Sequence, residues 1–139
     1  MKNVCINGYF DPLHIAHIRF IKRAKKRGRL TIILNNDSSA ISKKGYVFMP
    51  QEDRRTILEN IKGVYRVILV PENKNNALAV GNILRKIKCD IFQVGKGDSK
   101  ELIPICDNLN IVFVELSERG KDTGGNICSS TELVRRIIK

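Results

Sequence analysis

At 139 residues, 42% of them hydrophobic, the chain has the length of one domain and the apolar content for one proper core. Its 25 Lys and Arg against 14 Asp and Glu give a formal charge of +11, a field that attracts polyanions in general and selects none of them. A membrane-length apolar run, a signal-peptide pattern and any CxxC pair are all absent, which predicts a soluble cytoplasmic protein with reduced thiols and no zinc site.

The first apolar run, residues 4–6, reads as a buried strand. Asn7, Gly8, Tyr9, Phe10 and Asp11 then form a tight turn into a helix whose apolar stripe is Ile15, Ile18, Ile21 and Ala24, stopped by Gly28. The cations that close this helix, Lys22, Arg23, Lys25, Lys26 and Arg27, suit the negative end of its dipole and read as a solvated face. Residues 30–34 are a second strand, residues 37–50 a long basic loop, and the helix that follows turns Ile57, Leu58 and Ile61 inward. A third strand at 64–70 precedes a helix over about residues 77–86 that carries Leu78, Gly81, Leu84 and Ile87 towards the sheet. Strands at 90–94 and 111–116 follow, and a last helix opens at Ser129 or Ser130 and buries Leu133, Val134, Ile137 and Ile138.

This alternation predicts an α/β fold: a Rossmann-like, doubly wound parallel sheet of about five strands with helices on both faces, in a single domain over residues 1–139. Ligands of such sheets collect at the carboxyl ends of the strands, where strand order reverses. Residues that directly follow strands are therefore the candidates.

His14 and His17 stand three apart in the first turn of the first helix, beside backbone amides free to hold phosphate. Taken alone they are a cap and a surface residue. As the chain's only two histidines, both at the ligand end of the first strand, they read better as donors to a phosphoryl group. Ser129, Ser130 and Thr131 open the last helix either as ordinary N-caps or as a second phosphate clamp. Gly95, Lys96, Gly97 and Asp98 make a turn whose glycines allow close approach of a ligand, while Lys43, Lys44 and Arg54 taken alone are surface charges.

Gly8-Tyr9-Phe10-Asp11 with His14-Ile15-Ala16-His17 resembles the GxFDxxHxGH signature of the cytidylyltransferase-like nucleotidyltransferase superfamily, Ala16 standing where that family has glycine. Ser129-Ser130-Thr131, followed by Arg135, resembles the family's SST helix opening. Lys44-Gly45 and the run from Met49 and Pro50 to Arg54 are similar to the lysine loop and PxExR helix start of glycerol-3-phosphate cytidylyltransferase and of the nucleotidyltransferase domain of ADP-heptose synthase. The turn at residues 95–98 is similar to a KGGD or GDD turn with lysine and glycine exchanged.

The resemblance implies transfer of a nucleoside monophosphate from CTP or ATP to a small phosphorylated acceptor, such as glycerol-3-phosphate or a sugar phosphate, with release of pyrophosphate. It implies that His14, His17 and Lys44 serve the reacting phosphates, and that Gly8, Tyr9, Phe10, Asp11, Gly95, Lys96, Gly97, Asp98, Ser129, Ser130 and Thr131 bind the nucleotide. Arg54 and Arg135 would grip phosphate, and Mg²⁺ would bridge phosphate oxygens, with Asp11 either facing the hydrated metal or supporting the turn. A homodimer is also implied. The competing reading, motivated by Ala16 and the net charge, is a catalytically impaired nucleotide-binding or nucleic-acid-binding protein; the lack of an aromatic stacking platform disfavours nucleic acid, and no membrane partner is expected.

Overall fold

Period-two alternation in the first strands sorts their side chains onto two faces, as the pleat requires. In the computed structural model, which describes residues 1–116, β1 (Asn3–Gly8) sends Val4 and Ile6 to one side and Cys5 to the other. β2 (Arg29–Leu34) pairs with it in parallel, Val4 opposite Leu30 through to Gly8 opposite Leu34, with Leu30, Ile32 and Leu34 on the first face and Ile33 on the second. β3 (Val64–Leu69) extends the sheet beyond β2, while β4 (Ile91–Val94) and then β5 (Val112–Glu115) extend it beyond β1. The strand order is β3-β2-β1-β4-β5, all parallel.

Among the described residues, two helices cover each face. Ile21 and Ala24 of α1 (Ile15–Arg27) and Leu58 of α3 (Gln51–Glu59) join the first core; Ala79, Val80, Ile83 and Leu84 of α4 (Asn76–Lys86) and Cys106 of α5 (Ile103–Asn108) join the second. A 3₁₀ turn at Lys100–Leu102 leads into α5 and buries Leu102. The predicted doubly wound fold is therefore present, and strand order reverses between β1 and β4, the point at whose carboxyl ends ligands of such sheets generally collect. Ser129, Ser130, Thr131, Arg135 and the expected last helix lie outside the described residues.

Four expectations need correction. The segment after β2 is not loop throughout: Asp37–Lys44 forms α2, capped by the Asn36 side chain, which accepts from the Ser39 amide at 2.8 Å, and closed by Gly45 at φ +85°. Only Ala40 of α2 is buried, so it lacks the apolar stripe that would announce a helix. Ile57 is exposed, because α3 buries Arg54 and Leu58, one turn apart, and turns Ile57 aside. Leu78 on α4 and Ile15 on α1 are also exposed, each on the far side of its helix from the residues that meet the sheet.

Gly28 turns α1 into β2 beside Lys2, just ahead of β1. A Cβ there would run into the Lys2 carbonyl oxygen, which accepts from the Arg29 amide at 2.8 Å. The thiols of Cys5, Cys89 and Cys106 are free and buried. Burial pushes the Cys106 thiol up to about 11, and the Cys89 thiol is raised by a hydrogen bond with Cys5 and by burial, so neither Cys89 nor Cys106 is poised for reaction.

Candidate active site

His14 is the N-cap of α1, in extended backbone, and its Nδ1 accepts from the Ala16 amide at 3.2 Å. The His14 amide in turn donates to His17 Nδ1 at 3.3 Å, a reciprocal capping box made of two imidazoles. An acceptor Nδ1 carries no proton, so each neutral ring keeps its proton on Nε2. The rings stack with centroids 3.9 Å apart, and Phe10 packs edge-on against His17 at 5.1 Å. Phe10 itself sits at φ +53°, buried beneath the turn.

Burial lowers the pKa of both rings: His14 falls below its ordinary value, and His17 is pushed down to about 3, by desolvation first and then by His14 and Lys44. Both are therefore neutral near pH 7. The first turn of α1 offers two Nε2–H donors above a helix N-terminus, the arrangement that stabilises an anion without a buried positive ring. Ala16 takes its place as an ordinary helical residue whose amide serves this cap.

Of the two roles open to Asp11, the geometry supports the turn. The residue is almost wholly buried, its Oδ2 accepting from the Phe48 amide at 2.9 Å and its Oδ1 from the Met49 amide at 2.6 Å. Such a carboxylate closes the α2–α3 connection onto the histidine turn and has no face for a hydrated ion. Lys44, placed by the last turn of α2 and not by a mobile loop, brings Nζ to 3.4 Å from the Asp11 carbonyl oxygen and 3.9 Å from its Oδ2. The ammonium also lies over the Tyr9 and Tyr46 rings, at 5.0 and 5.5 Å from their centroids. Burial lowers its pKa, against which the Asp11 carboxylate pulls upward.

Arg54, expected at a phosphate, has its guanidinium engaged within the fold. It is fully buried, donating from Nε to the Met49 carbonyl at 2.8 Å, from Nη1 to the carbonyls of Tyr9 at 2.7 Å and Asn35 at 2.9 Å, and from Nη2 to Asp37 Oδ1 at 2.6 Å. Four of its five N–H groups are thus spent on holding together the loops after β1, after β2 and before α3.

Beneath these loops lies an asparagine network that the sequence reading passed over. Asn35, buried directly after β2, accepts at Oδ1 from Asn7 Nδ2 at 2.9 Å and Asn76 Nδ2 at 3.0 Å, joining β1, β2 and α4 across the ends of the strands. Asn36 ties the same edge to β3, donating to the Val70 carbonyl at 2.9 Å. The available signal was position: two consecutive polar residues at the carboxyl end of a strand buried from Leu30 to Leu34.

Across the switch point, residues 95–98 form the turn after β4. Gly97, at φ +78° with open space around it, donates to Glu115 Oε2 at 2.8 Å, and the Asp98 amide closes onto the Gly95 carbonyl at 3.0 Å. Only a residue without Cβ takes that φ at no cost. Gly8 ends β1 beside this turn's strand, its carbonyl accepting from the Asn35 amide at 2.9 Å. Among the described residues no three His, Cys, Asp or Glu side chains gather to hold a metal ion, and no helix is long and apolar enough to cross a membrane.

The family model described as cytidylyltransferase-like matches residues 5–136. FAD synthase of Ferroglobus placidus is 29% identical over 141 residues, covering 99% of this chain and 89% of that protein. The bifunctional protein HldE of Campylobacter concisus is 32% identical over 133 residues, covering 91% of this chain but 26% of HldE. Among solved structures, a lipopolysaccharide core biosynthesis protein from Thermoplasma volcanium matches with a TM-score of 0.71 at 26% identity, over 85% of this chain and 98% of the other.

Proposed function

The chain belongs to the cytidylyltransferase-like family and is a nucleotidyltransferase, and from that premise we propose that it moves an adenylyl group from ATP to the phosphate of a small acceptor, releasing pyrophosphate. The observation that carries this reading is the pair of neutral histidines whose Nε2–H donors sit at the N-terminus of α1, at the switch point of the sheet. The choice of ATP rests on the likeness to FAD synthase, whose product contains an adenylyl group. CTP is the competing donor.

In the proposed reaction an acceptor phosphate oxygen attacks the α-phosphorus, a new P–O bond forms, the bond to the bridging oxygen breaks, and the electron pair leaves on pyrophosphate. The nucleophile is already anionic, so no general base is needed. Charge grows on the α-phosphoryl and bridging oxygens, where His14 and His17 donate and Lys44 neutralises. Lys44 is well suited because it is held half-buried, where its field is less screened than at the surface. Tyr9, Phe10 and the turn at 95–98 would shape the nucleotide site, with Asp11 and Arg54 holding the loops that carry it. Ser129, Ser130 and Thr131 are proposed to receive the leaving pyrophosphate, and Arg135 a phosphate.

Among the described residues no three His, Cys, Asp or Glu side chains cluster. We propose that Mg²⁺ travels with the triphosphate, and no step above runs through it. A cytoplasmic homodimer is the proposed setting.

The test is pyrophosphate release with Mg²⁺ and ATP, CTP, GTP or UTP against a panel of phosphorylated acceptors. Release specific to ATP supports the proposal, and release specific to CTP corrects the donor. No release, together with RNA affinity that falls steeply with salt, would establish the binding-protein reading instead.

A further inference from the structure

The amino end of the sheet, opposite the histidine turn, gathers cations from several elements. Lys2 precedes β1, Lys25 lies in the last turn of α1, Arg29 opens β2, and Lys62 and Arg66 lie just before and just inside the start of β3. They share one surface. Lys25 Nζ donates to the Lys62 carbonyl at 2.6 Å, the Arg29 amide donates to the Lys2 carbonyl at 2.8 Å, and β2 meets β3 from Leu30 opposite Val64 onwards. Among the described residues no carboxylate forms an ion pair with any of the five, and the neighbouring Asp90 has Oδ2 engaged by the Asn3 amide at 2.8 Å.

Tyr65 stands within this surface and is 57% exposed. The sequence offered no aromatic platform to a nucleic acid; the fold presents this ring on β3, at the edge of the sheet among the described residues. The Arg29 guanidinium carbon lies 4.4 Å from its centroid and that of Arg66 5.8 Å. Each arginine is also tied to the fold through Nε: Arg29 donates to Asn3 Oδ1 at 3.2 Å and Arg66 to Thr31 Oγ1 at 3.1 Å. Both forks are thereby oriented, and their Nη groups have no hydrogen-bond partner among the described residues.

Charges that only guard an edge strand against pairing need no such orientation. Nor does a bilayer surface, which recruits cations by their charge alone. Oriented forks with open Nη groups suit the paired oxygens of a phosphate, and an exposed ring or the guanidinium plane beside it can take a base. A single phosphate would leave the lysines idle. Lys2, Lys25 and Lys62 continue the positive surface away from the arginine pair, as a chain of phosphates requires.

We propose that this surface binds single-stranded polynucleotide, with Arg29 and Arg66 on a phosphodiester, Tyr65 against a base and the three lysines along the strand. The shared chemistry occurs in RNA and in DNA. β1 and β2, each of six residues, put about 20 Å of sheet between this surface and the histidine turn, so the binding is separate from the transfer reaction and does not rest on it.

The experiment is fluorescence anisotropy of labelled oligouridylate and oligothymidylate of about 15 nucleotides, titrated with the protein over a range of salt concentrations. Neutralising about three to five phosphates predicts a slope of log K against log salt of about −2 to −3.5, and the tighter of the two probes names the source. Arg29→Gln with Arg66→Gln is expected to weaken binding by about tenfold or more and to flatten the slope by about one unit. Tyr65→Ala should weaken it by about tenfold and Tyr65→Phe by less than about twofold, since the ring and not the hydroxyl takes the base. Lys74→Gln with Lys100→Gln removes the same charge from the carboxyl end of the sheet and should change the affinity by less than about twofold; a loss equal to that of the arginine pair would reduce the effect to net charge and overturn the proposal. Displacement of the oligonucleotide by ATP would move it to the histidine turn and overturn the proposal as well. So would binding to vesicles containing phosphatidylserine with no affinity for either oligonucleotide, which would make the surface a membrane contact.

Discussion

Replacing Arg54 by Met separates a structural guanidinium from a ligand-binding one. The side chain is fully buried and makes hydrogen bonds to three backbone carbonyls and one carboxylate, with donor-acceptor distances from 2.6 to 2.9 Å. Methionine fills much of the space but leaves the carbonyls of Tyr9, Asn35 and Met49 without this donor and Asp37 without its cation. Breaking a buried ion pair from one side costs about 3–5 kcal/mol, and the stranded carbonyls add to the loss. Asp37 is partly exposed and regains water, which offsets that addition and leaves the loss within the same range. For a chain of this size each 1 kcal/mol moves Tm by roughly 4 °C, so a fall of about 12–20 °C is expected. Urea unfolding with an unchanged m-value is the assay. Arg54→Lys, able to satisfy one or two of the four partners, should recover only part of the loss. A variant that loses less than about 1 kcal/mol of stability but binds ATP poorly would refute the reasoning and return Arg54 to the phosphate.

Removing a transition-state donor by His17→Ala should cost about 2–4 kcal/mol in kcat/KM, measured by pyrophosphate release from the folded variant; unchanged turnover removes His17 from the mechanism. Because the folded-state pKa of His17 lies near 3, below its unfolded value near 6.5, the unfolded chain binds more protons between these values. The stability that neutral His17 supplies is complete above pH 6.5 and is lost as pH falls towards 3, by about 1.4 kcal/mol per unit, so His17→Gln should flatten the acid limb of the stability profile by that slope. Asp11→Asn removes the charge that raises the Lys44 pKa, so the alkaline limb of activity should move to lower pH; an unmoved limb would detach Lys44 from the reaction. Gly28→Ala should destabilise by about 1–3 kcal/mol, the usual cost of overpacking, through collision with the Lys2 carbonyl, and an unchanged Tm would show that the segment at Lys2 simply shifts away.

The strands were legible in the sequence because a parallel sheet covered on both faces leaves continuous apolar runs, and residues 4–6 and 30–34 carry the alternation that later divides into two cores. His14 and His17 stood out because a helix start was visible before them. Their neutrality was not visible, since it comes from burial and, for His17, also from the neighbouring His14 and Lys44. Arg54 was misread for a related reason. A buried guanidinium needs acceptors, and its acceptors come from Tyr9, Asn35, Met49 and Asp37, positions that no local pattern connects. Asn35 and Asn36 were missed because asparagine after a strand usually signals a turn, whereas here both side chains are enclosed and cross-link strand ends. The polar groups that organise the site are those with long-range partners. A motif read along the chain finds the residues that face a ligand more readily than the ones that hold them in place, and Asp11 shows the consequence: inside the most recognisable stretch of the sequence, its carboxylate is spent on the amides of Phe48 and Met49.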